Sequence, residues 1–288
     1  MAAYRGRLAP TPTGLMHVGH ARTFALAARR AEAAGGALIM RMEDLDGSRC
    51  RPEFSEAALE DLRWLGLAWQ EGPDVGGARA PYVQSQRMPW FTEVWRRLHA
   101  TGAIYPCDKS RKDVERALSA PHVEDDEEPI FPASLRPASY AGRDALDPGS
   151  TNWRFRVPNG EVIGFVDAIQ GPQRFTAGTD FSDFLVWRKD GMPAYELSVV
   201  ADDHAMGVTE VVRGADLLLS TARQLLIFKA LGWSQPAWAH APLVTDVSGR
   251  RLAKRTAGLS IRELRVRGFS PNAVLNEDLV RLADGSGT

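Results

Sequence analysis

The chain has 288 residues and 44% hydrophobic residues, which is ordinary for a soluble globular enzyme of one large domain, or of one domain with an inserted subdomain. Its formal net charge of -1 excludes a basic field over the whole protein, so any contact with nucleic acid must come from local patches. Cys50 and Cys107 are the only cysteines, which excludes a disulfide framework. We find no secretory leader and no apolar run long enough to span a bilayer, so we expect a cytoplasmic protein without membrane contact.

The segment from Arg7 to His20 is predicted as a strand end, a turn rich in proline and glycine, and a helix that begins at His17. A helix start of this kind offers backbone N–H groups and the positive end of the helix dipole to a phosphate. Gly19 has no Cβ and lets a ligand approach the backbone. His17 and His20 are three residues apart, so they share a helix face and can both donate to phosphate oxygens. Taken alone, the motif is equally open to interpretation as a surface turn with two incidental histidines.

Alternating strands and helices continue along the first third of the chain. A short strand at 38–42 leads into the acidic residues at 43–46, and the carboxyl end of such a strand is where open α/β sheets bind ligands. A helix is predicted at 53–66 from its apolar spacing, and another at 89–100 with Pro89 near its start. This order is typical of the first half of a doubly wound α/β fold.

The middle of the chain follows a different pattern. Residues 119–149 are rich in proline, alanine, serine and acidic residues without a clear period, which indicates an irregular segment. Segments 153–157 and 161–166 alternate around the turn at 158–160 and predict a hairpin. Further strands are predicted at 184–187, 195–200 and 209–214, a helix at 221–231, and one short helix after Pro271.

Five separated segments carry a resemblance to a known family. They are residues 7–20, 41–46, 195–203, 207–216 and 251–255, and together they resemble the catalytic core of the class I glutamyl-tRNA synthetases. The first segment is similar to the HIGH signature of that class and the last to its KMSKS signature. Because the chain ends soon after the second signature, it is most similar to the truncated glutamyl-Q tRNA(Asp) synthetase family.

The resemblance implies an α/β fold with a Rossmann-type doubly wound parallel sheet, an inserted α+β subdomain and no anticodon-binding domain. The first half of the catalytic domain would occupy residues 1–105. An inserted subdomain, like the one that contacts the acceptor stem, would occupy 106–195. The second half, at 196–288, would carry the KMSKS-like loop and a short tail.

The implied activity is ATP-dependent activation of L-glutamate to glutamyl-adenylate and transfer of glutamate to the queuosine base in the anticodon of tRNA(Asp). Glutamate has two carboxylates and one ammonium, and a guanidinium matches a carboxylate with a planar fork of donors. By the resemblance, Arg7 and Arg213 bind the carboxylates in an order left open, and Glu43 binds the ammonium. The remaining implied contacts to glutamate come from Ala9, Thr11 and Tyr195.

The resemblance assigns ATP to His17, Gly19, His20 and Lys254, with Mg²⁺ on the phosphates, and the catalytic residues to His17, His20 and Lys254. In that class, the lysine stabilises the charge that develops on the ATP phosphates. The chain departs from the signature at Arg251 and Ala253, which replace a lysine and a serine. We expect the lost hydroxyl to lower the catalytic rate.

A structural zinc site, frequent in the glutamyl-Q family, is predicted to be absent. Cys107 occupies its first ligand position, but Lys109, Phe131 and Leu135 stand where the other three ligands would be, and such sites close at four donors. We expect apolar packing of Ile130, Phe131 and Leu135 to hold this segment instead. We also expect a monomer.

Two alternatives remain open from the sequence. The chain could be a short glutamyl-tRNA synthetase that esterifies a tRNA 3′ end, or a non-catalytic paralogue that binds glutamate or tRNA. Glutamate-dependent ATP–pyrophosphate exchange separates the second from the enzymes.

Overall fold

The computed structural model describes residues 3–109, 113, 130–137, 145–243 and 260–275. The strands are β1 (Arg5–Leu8), β2 (Ala37–Met40), β3 (Ile104–Cys107), β4 (Asn152–Phe155), β5 (Val162–Asp167), β6 (Gly171–Thr176), β7 (Phe184–Trp187), β8 (Glu210–Gly214) and β9 (Ala237–Ala241). The helices are α1 (Val18–Ala33), α2 (Pro52–Trp64), α3 (Met88–Ala100), α4 (Tyr195–Ala205), α5 (Leu218–Leu231), α6 (Ile261–Val266) and α7 (Pro271–Leu275).

Parallel pairing dominates the part of the fold that carries the predicted motifs. β1 pairs with β2 in parallel, and β8 pairs with β9 in parallel within a sheet of order β6-β5-β9-β8. β8 lies beside β1, because the backbone N–H of Thr209 donates to the carbonyl of Arg5 at 2.9 Å. The predicted doubly wound α/β fold is therefore confirmed.

A separate antiparallel sheet of order β3-β4-β7 lies between the two parallel halves in the sequence. Its fully buried Trp153 and Trp187 share one hydrophobic core with Trp95 of α3 and with residues of α4 and α5. A second core joins α1, α2 and β2. The three-part division of the chain at 105 and 195 stays a prediction, and β5 of the middle part pairs with β9 of the last.

The predicted hairpin at 153–166 is wrong, although both of its strands exist. β4 already has β3 on one edge and β7 on the other, so no edge is left for β5. β5 instead pairs with β6 and β9. The turn at 158–160 therefore carries the chain from one sheet to the next.

The predicted strand at 195–200 is also wrong, because these residues begin helix α4. Every residue from Glu196 to Asp203 is buried, so the helix is enclosed on all sides. A short apolar run of this kind has no exposed face to reveal its period, and a buried helix and a buried strand then look alike in sequence.

The expected apolar packing after Cys107 is present where the structure describes it. Phe131 is buried against Tyr105 and Cys107, and Leu135 packs at the edge of the same cluster. Ile130 is half-buried outside it. Over the described residues, no helix is long and apolar enough to cross a membrane.

Candidate active site

The strands β1 and β8 mark the point where the chain changes its winding direction. Helix α1 leads from β1 to β2 on one side, and α5 leads from β8 to β9 on the other. In open α/β sheets, ligands bind in the crevice at the carboxyl ends of strands at such a point. Arg7 in β1 and Arg213 in β8 both lie there, and each is 4% exposed.

Arg7 is anchored on one side of its guanidinium only. Its Nη1 donates to the carbonyl of Val212 at 2.7 Å, whereas its Nε makes no hydrogen bond and lies 3.7 Å from Asp203 Oδ1. Burial lowers the pKa of Arg7 against the pull of Asp203, yet an arginine keeps its charge at neutral pH. A buried donor without a partner is costly, so this nitrogen favours a ligand that accepts from it.

Glu43 is held by a fully buried neighbour, Arg41. Arg41 donates through Nη2 to Glu43 Oε1 at 2.9 Å and through Nη1 to Asp203 Oδ1 at 2.7 Å. Burial alone would lower the pKa of Arg41, but the carboxylates of Asp203 and Glu43 raise it. Burial likewise raises the pKa of Glu43, so a bound ammonium would favour its ionised form.

A third carboxylate, Asp202, completes the network beneath the crevice. It accepts from Arg87 Nε at 2.6 Å and from Gln84 Nε2 at 2.9 Å. The guanidiniums of Arg7, Arg41 and Arg87 thus form ion pairs with three buried carboxylates, those of Glu43, Asp202 and Asp203.

Arg213 is held from behind by two buried side chains. Its Nε donates to His240 Nε2 at 3.1 Å, and its Nη2 donates to Thr221 Oγ1 at 2.7 Å. The guanidinium lies 5.2 Å from the centre of the Trp238 ring. Its buried Nη1 has no hydrogen-bond partner, as with Nε of Arg7.

Tyr195 is the first residue of α4 and is 40% exposed. The charges of Arg213, Glu43 and Arg7 all act on its hydroxyl. The structure therefore brings together four of the residues that the sequence assigned to glutamate, drawn from β1, the segment after β2, α4 and β8.

The other two predicted glutamate contacts lie in the turn that follows β1. Ala9 is half-buried and Thr11 is exposed. The turn is tied to the carboxylate that they would neighbour, because the backbone N–H of Glu43 donates to the carbonyl of Pro10 at 3.0 Å. Their contact with glutamate stays a prediction.

The start of α1 differs in one respect from the predicted phosphate site, because one of its backbone N–H groups already has a partner within the chain. Helix α1 begins at Val18, and His17 is its N-cap, with Nδ1 accepting from the backbone N–H of Gly19 at 3.2 Å. That N–H is therefore already used. The ring centres of His17 and His20 lie 3.9 Å apart and both side chains are exposed, so the two imidazoles do share one site.

Lys254 lies outside the described residues, together with Arg251 and Ala253. The residues that follow this segment are attached to the start of α1. Ser260 forms a backbone bridge with His17, and the N–H of Ile261 donates to the carbonyl of Met16 at 2.8 Å.

Sequence reasoning missed the residues that hold the side chains assigned to glutamate in place. Arg41 and Asp203 lie inside the recognised motifs. The adjacent acidic residues Asp202 and Asp203, in an otherwise apolar run, were the signal that could have indicated a buried ion-pair network. His240 and Asp167 stand outside every motif. A histidine in the short apolar stretch at 237–241 was their only trace.

Over the described part of the chain, no group of three or more histidine, cysteine, aspartate or glutamate residues could hold a metal ion. Cys107 is buried, and Lys109 pairs with Asp108 at 3.1 Å. The absence of structural zinc stays a prediction.

Comparisons with known proteins agree on one family. Residues 3–283 match the model for tRNA synthetases class I (E and Q), catalytic domain. The chain is 47% identical over 273 residues to a glutamyl-Q tRNA(Asp) synthetase from Symbiobacterium thermophilum, covering 94% of this chain and 84% of that protein. It is 41% identical to glutamate–tRNA ligase 2 from Nitrosococcus oceani, covering 95% of this chain but 58% of the ligase.

The solved structures show the same relationship. A glutamate tRNA ligase from Elizabethkingia meningosepticum, crystallised with its amino acid, superimposes with a TM-score of 0.75 at 29% sequence identity. The match covers 93% of this chain and 54% of that one, so the chain spans about half the length of such a ligase.

Proposed function

The chain belongs to the class I tRNA synthetases of the glutamate and glutamine type, and on that premise we propose that it activates L-glutamate with ATP and transfers it to the queuosine base of tRNA(Asp). One observation carries the activation step: Arg7 and Arg213 lie buried in β1 and β8, close enough for their charges and that of Glu43 to act together on Tyr195, and each keeps a guanidinium nitrogen without a hydrogen bond. The queuosine step follows the relatives named for it, which the chain matches over 84% and 86% of their lengths.

The charges of the site suit glutamate. The amino acid carries two carboxylates and one ammonium, and the site offers the two guanidiniums of Arg7 and Arg213 and the carboxylate of Glu43. We assign one carboxylate to Arg7, the other to Arg213, and the ammonium to Glu43. Because these groups are buried and already oriented, little freedom is lost when glutamate binds.

In the first step, an oxygen of the α-carboxylate attacks the α-phosphorus of ATP. A bond forms between that oxygen and phosphorus, and the bond to pyrophosphate breaks, which gives glutamyl-adenylate. His17, Gly19 and His20 at the start of α1 bind the nucleotide, and Lys254 stabilises the charge on the leaving phosphates. Catalysis then rests on positioning and charge stabilisation.

In the second step, a hydroxyl of the queuosine cyclopentene ring attacks the carbonyl carbon of the adenylate. The new ester bond forms, AMP leaves with the bonding electrons, and the hydroxyl proton passes to solvent or to the phosphate. No side chain of the site is required as a general base.

Three further properties belong to the proposal. Mg²⁺ would be bound chiefly by the ATP phosphates and water, since Mg²⁺ keeps several waters and needs few protein ligands. The protein would act as a monomer, and it would act in the cytoplasm.

The activation step is tested by ATP–pyrophosphate exchange with a panel of amino acids. We expect exchange with L-glutamate and at least about 100-fold less with L-glutamine, because an amide leaves one guanidinium without its carboxylate. Exchange that is absent for every amino acid, with glutamate still bound, would instead favour the non-catalytic paralogue.

The transfer step is tested with labelled glutamate and tRNA(Asp) prepared with and without queuosine. Only the modified tRNA should become labelled, and nuclease digestion should place the label on the anticodon fragment and not on the 3′-terminal adenosine. Labelling of the unmodified tRNA at its 3′ end would overturn the proposed acceptor and favour a short glutamyl-tRNA synthetase.

A further inference from the structure

A buried chain of polar side chains is hydrogen-bonded to two of the three guanidinium nitrogens of Arg213. Asp167 is the last residue of β5, His240 lies in β9, and Thr221 lies in α5. The side chains of Asp167 and His240 are completely buried. The recognised motifs include Arg213 but neither Asp167 nor His240.

Hydrogen bonds fix the Asp167 carboxylate firmly. Its Oδ1 accepts from the backbone N–H groups of Ile169 and Gln170 at 2.9 and 2.8 Å, and both oxygens accept from the N–H of His240 at 3.1 Å. Burial alone would raise the pKa of Asp167, but the N–H group of Gln170 and the other hydrogen bonds lower it. Asp167 is therefore an ionised group that only accepts.

The ionised carboxylate determines which nitrogen of His240 carries the proton. Asp167 Oδ2 lies 2.6 Å from His240 Nδ1, so Nδ1 must donate. Burial and the charge of Arg213 lower the pKa of His240 against the effect of Asp167, which favours the neutral ring. A neutral ring with its proton on Nδ1 has an acceptor at Nε2.

That acceptor faces a group that can only donate. Arg213 Nε lies 3.1 Å from His240 Nε2, and Arg213 Nη2 is held by Thr221 Oγ1 at 2.7 Å. With two nitrogens fixed from behind, the third, Nη1, is left buried and unpartnered. The guanidinium plane cannot rotate without breaking these bonds.

We propose that His240, oriented by Asp167, is a positioning residue that aims Arg213 at a carboxylate of the amino-acid substrate. The inference rests on the proposed function, since it needs the amino acid to bind Arg213. It goes beyond that function by making glutamate affinity depend on the proton position of a histidine that does not touch the substrate.

The alternative is a purely structural role, in which His240 only stabilises the sheet. The two differ in what a substitution should change. A structural role predicts that any replacement lowers stability and leaves the kinetic constants of the surviving folded enzyme alone. A positioning role predicts a rise in the KM for glutamate that depends on which polar atom the new side chain keeps.

His240→Gln and His240→Asn separate these outcomes as a matched pair. The glutamine amide oxygen reaches the place of Nε2 and can accept from Arg213. The asparagine amide nitrogen reaches the place of Nδ1 and can donate to Asp167, but nothing then accepts from Arg213 Nε. In glutamate-dependent exchange, we expect the KM for glutamate to rise about 10-fold or more in His240→Asn. It should stay within about 3-fold of wild type in His240→Gln.

The KM for ATP and the melting temperature serve as controls, and both should change by similar amounts in the two variants. Asp167→Asn is a third variant in the test. The new amide N–H would donate to His240 Nδ1, so the ring proton would move to Nε2. The N–H groups of His240 Nε2 and Arg213 Nε would then face each other as two donors. Its KM for glutamate should also rise, and titration calorimetry with glutamate should show the same loss of affinity.

Each outcome is decisive. Equal KM values for glutamate in both His240 variants, with wild-type protein that binds glutamate, would overturn the positioning role alone. If wild-type protein binds no glutamate by calorimetry, the proposed function fails and the inference fails with it. A selective rise in His240→Asn and Asp167→Asn supports it.

Discussion

Arg41 is the counter-charge of three buried carboxylates in the site. It is fully buried and contacts the carboxylates of Glu43 and Asp203 by hydrogen bonds, with Asp202 at 3.9 Å. Removing one partner of a buried ion pair leaves uncompensated charge, which costs far more than the pair itself contributes. The proposed glutamate site therefore depends on a residue outside the proposed set of glutamate contacts.

Replacing this arginine should reveal the size of that dependence. We expect Arg41→Met to lower the free energy of unfolding by about 3–5 kcal/mol, because buried carboxylates lose their counter-charge. Urea unfolding measures the change. The control is Arg262→Met, which breaks an exposed pair with Glu60 and should cost less than about 1 kcal/mol. Equal losses in both variants would contradict the account.

His17 combines two roles that substitution can separate. As the N-cap of α1 it accepts from Gly19, and by the resemblance it binds ATP. Asparagine is a better cap than histidine but lacks the imidazole. We expect His17→Asn to keep wild-type stability while kcat for exchange falls about 100-fold, whereas His17→Ala should lose about 1 kcal/mol as well. Full activity in His17→Asn would remove the ATP role.

At this scale the sequence brought forward the residues assigned to glutamate and missed the residues that hold them in place. Arg7, Glu43, Tyr195 and Arg213 could be carried over from motifs, and the structure brings them together. His240 could not be found this way, because its importance lies in a contact with a strand 27 residues away in the chain. Spacing in sequence does not reveal such a contact.

At the scale of elements, α1 and β8 are joined by Arg30 and Glu210. Arg30 donates to both carboxylate oxygens of Glu210 at 2.7 Å, and Tyr4 donates to Oε2 at the same distance. Burial alone would raise the pKa of Glu210, but the hydrogen bonds from Arg30 and Tyr4 bring it below its ordinary value of 4.5. The pair binds the first helix to the strand that carries Arg213.

A depressed carboxyl pKa makes this contribution depend on pH. The unfolded chain binds a proton to Glu210 more readily than the folded one, so the stabilisation is present above about pH 4.5 and is lost as pH falls through the folded-state pKa. At pH 7, Glu210→Gln should be about 2 kcal/mol less stable than wild type. Urea unfolding at several pH values should show this gap shrinking below pH 4.5; a constant gap would contradict the assignment.

Elements were predicted well where one face was exposed and poorly where none was. Helices α1, α2 and α3 each have a buried stripe beside exposed residues, and the sequence predicted all three. Helix α4 has no such contrast. The wrong hairpin had correct strands, but the partner of a strand depends on which sheet edges are open, and this is a property of the whole fold.

At the scale of the molecule, the site is assembled from strands of both halves of the parallel fold. A ligand that contacts Arg7, Glu43 and Arg213 at once connects β1, the segment after β2, and β8. Binding to the folded state alone must stabilise all of them together.

Thermal unfolding with amino acids tests this coupling. L-glutamate at 100 times its Kd should stabilise the protein by about 2.7 kcal/mol and raise its melting temperature by several degrees. L-glutamine at the same concentration should have a much smaller effect, because its side-chain amide cannot satisfy a guanidinium in the same way. Equal shifts with both would contradict the assignment of two arginines to two carboxylates.

The position of β1 between β2 and β8 also has a consequence for how the protein is made. β1 can pair with β2 soon after residue 40 is synthesised, but its other neighbour, β8, begins about 170 residues later, at Glu210. At roughly 5–20 residues per second, one edge of this buried strand waits for about 10–35 s on the ribosome without its partner. An open strand edge readily pairs with other chains. We expect nascent chains that end before residue 209 to aggregate or to bind chaperones, and chains that extend past β9 to be released from them.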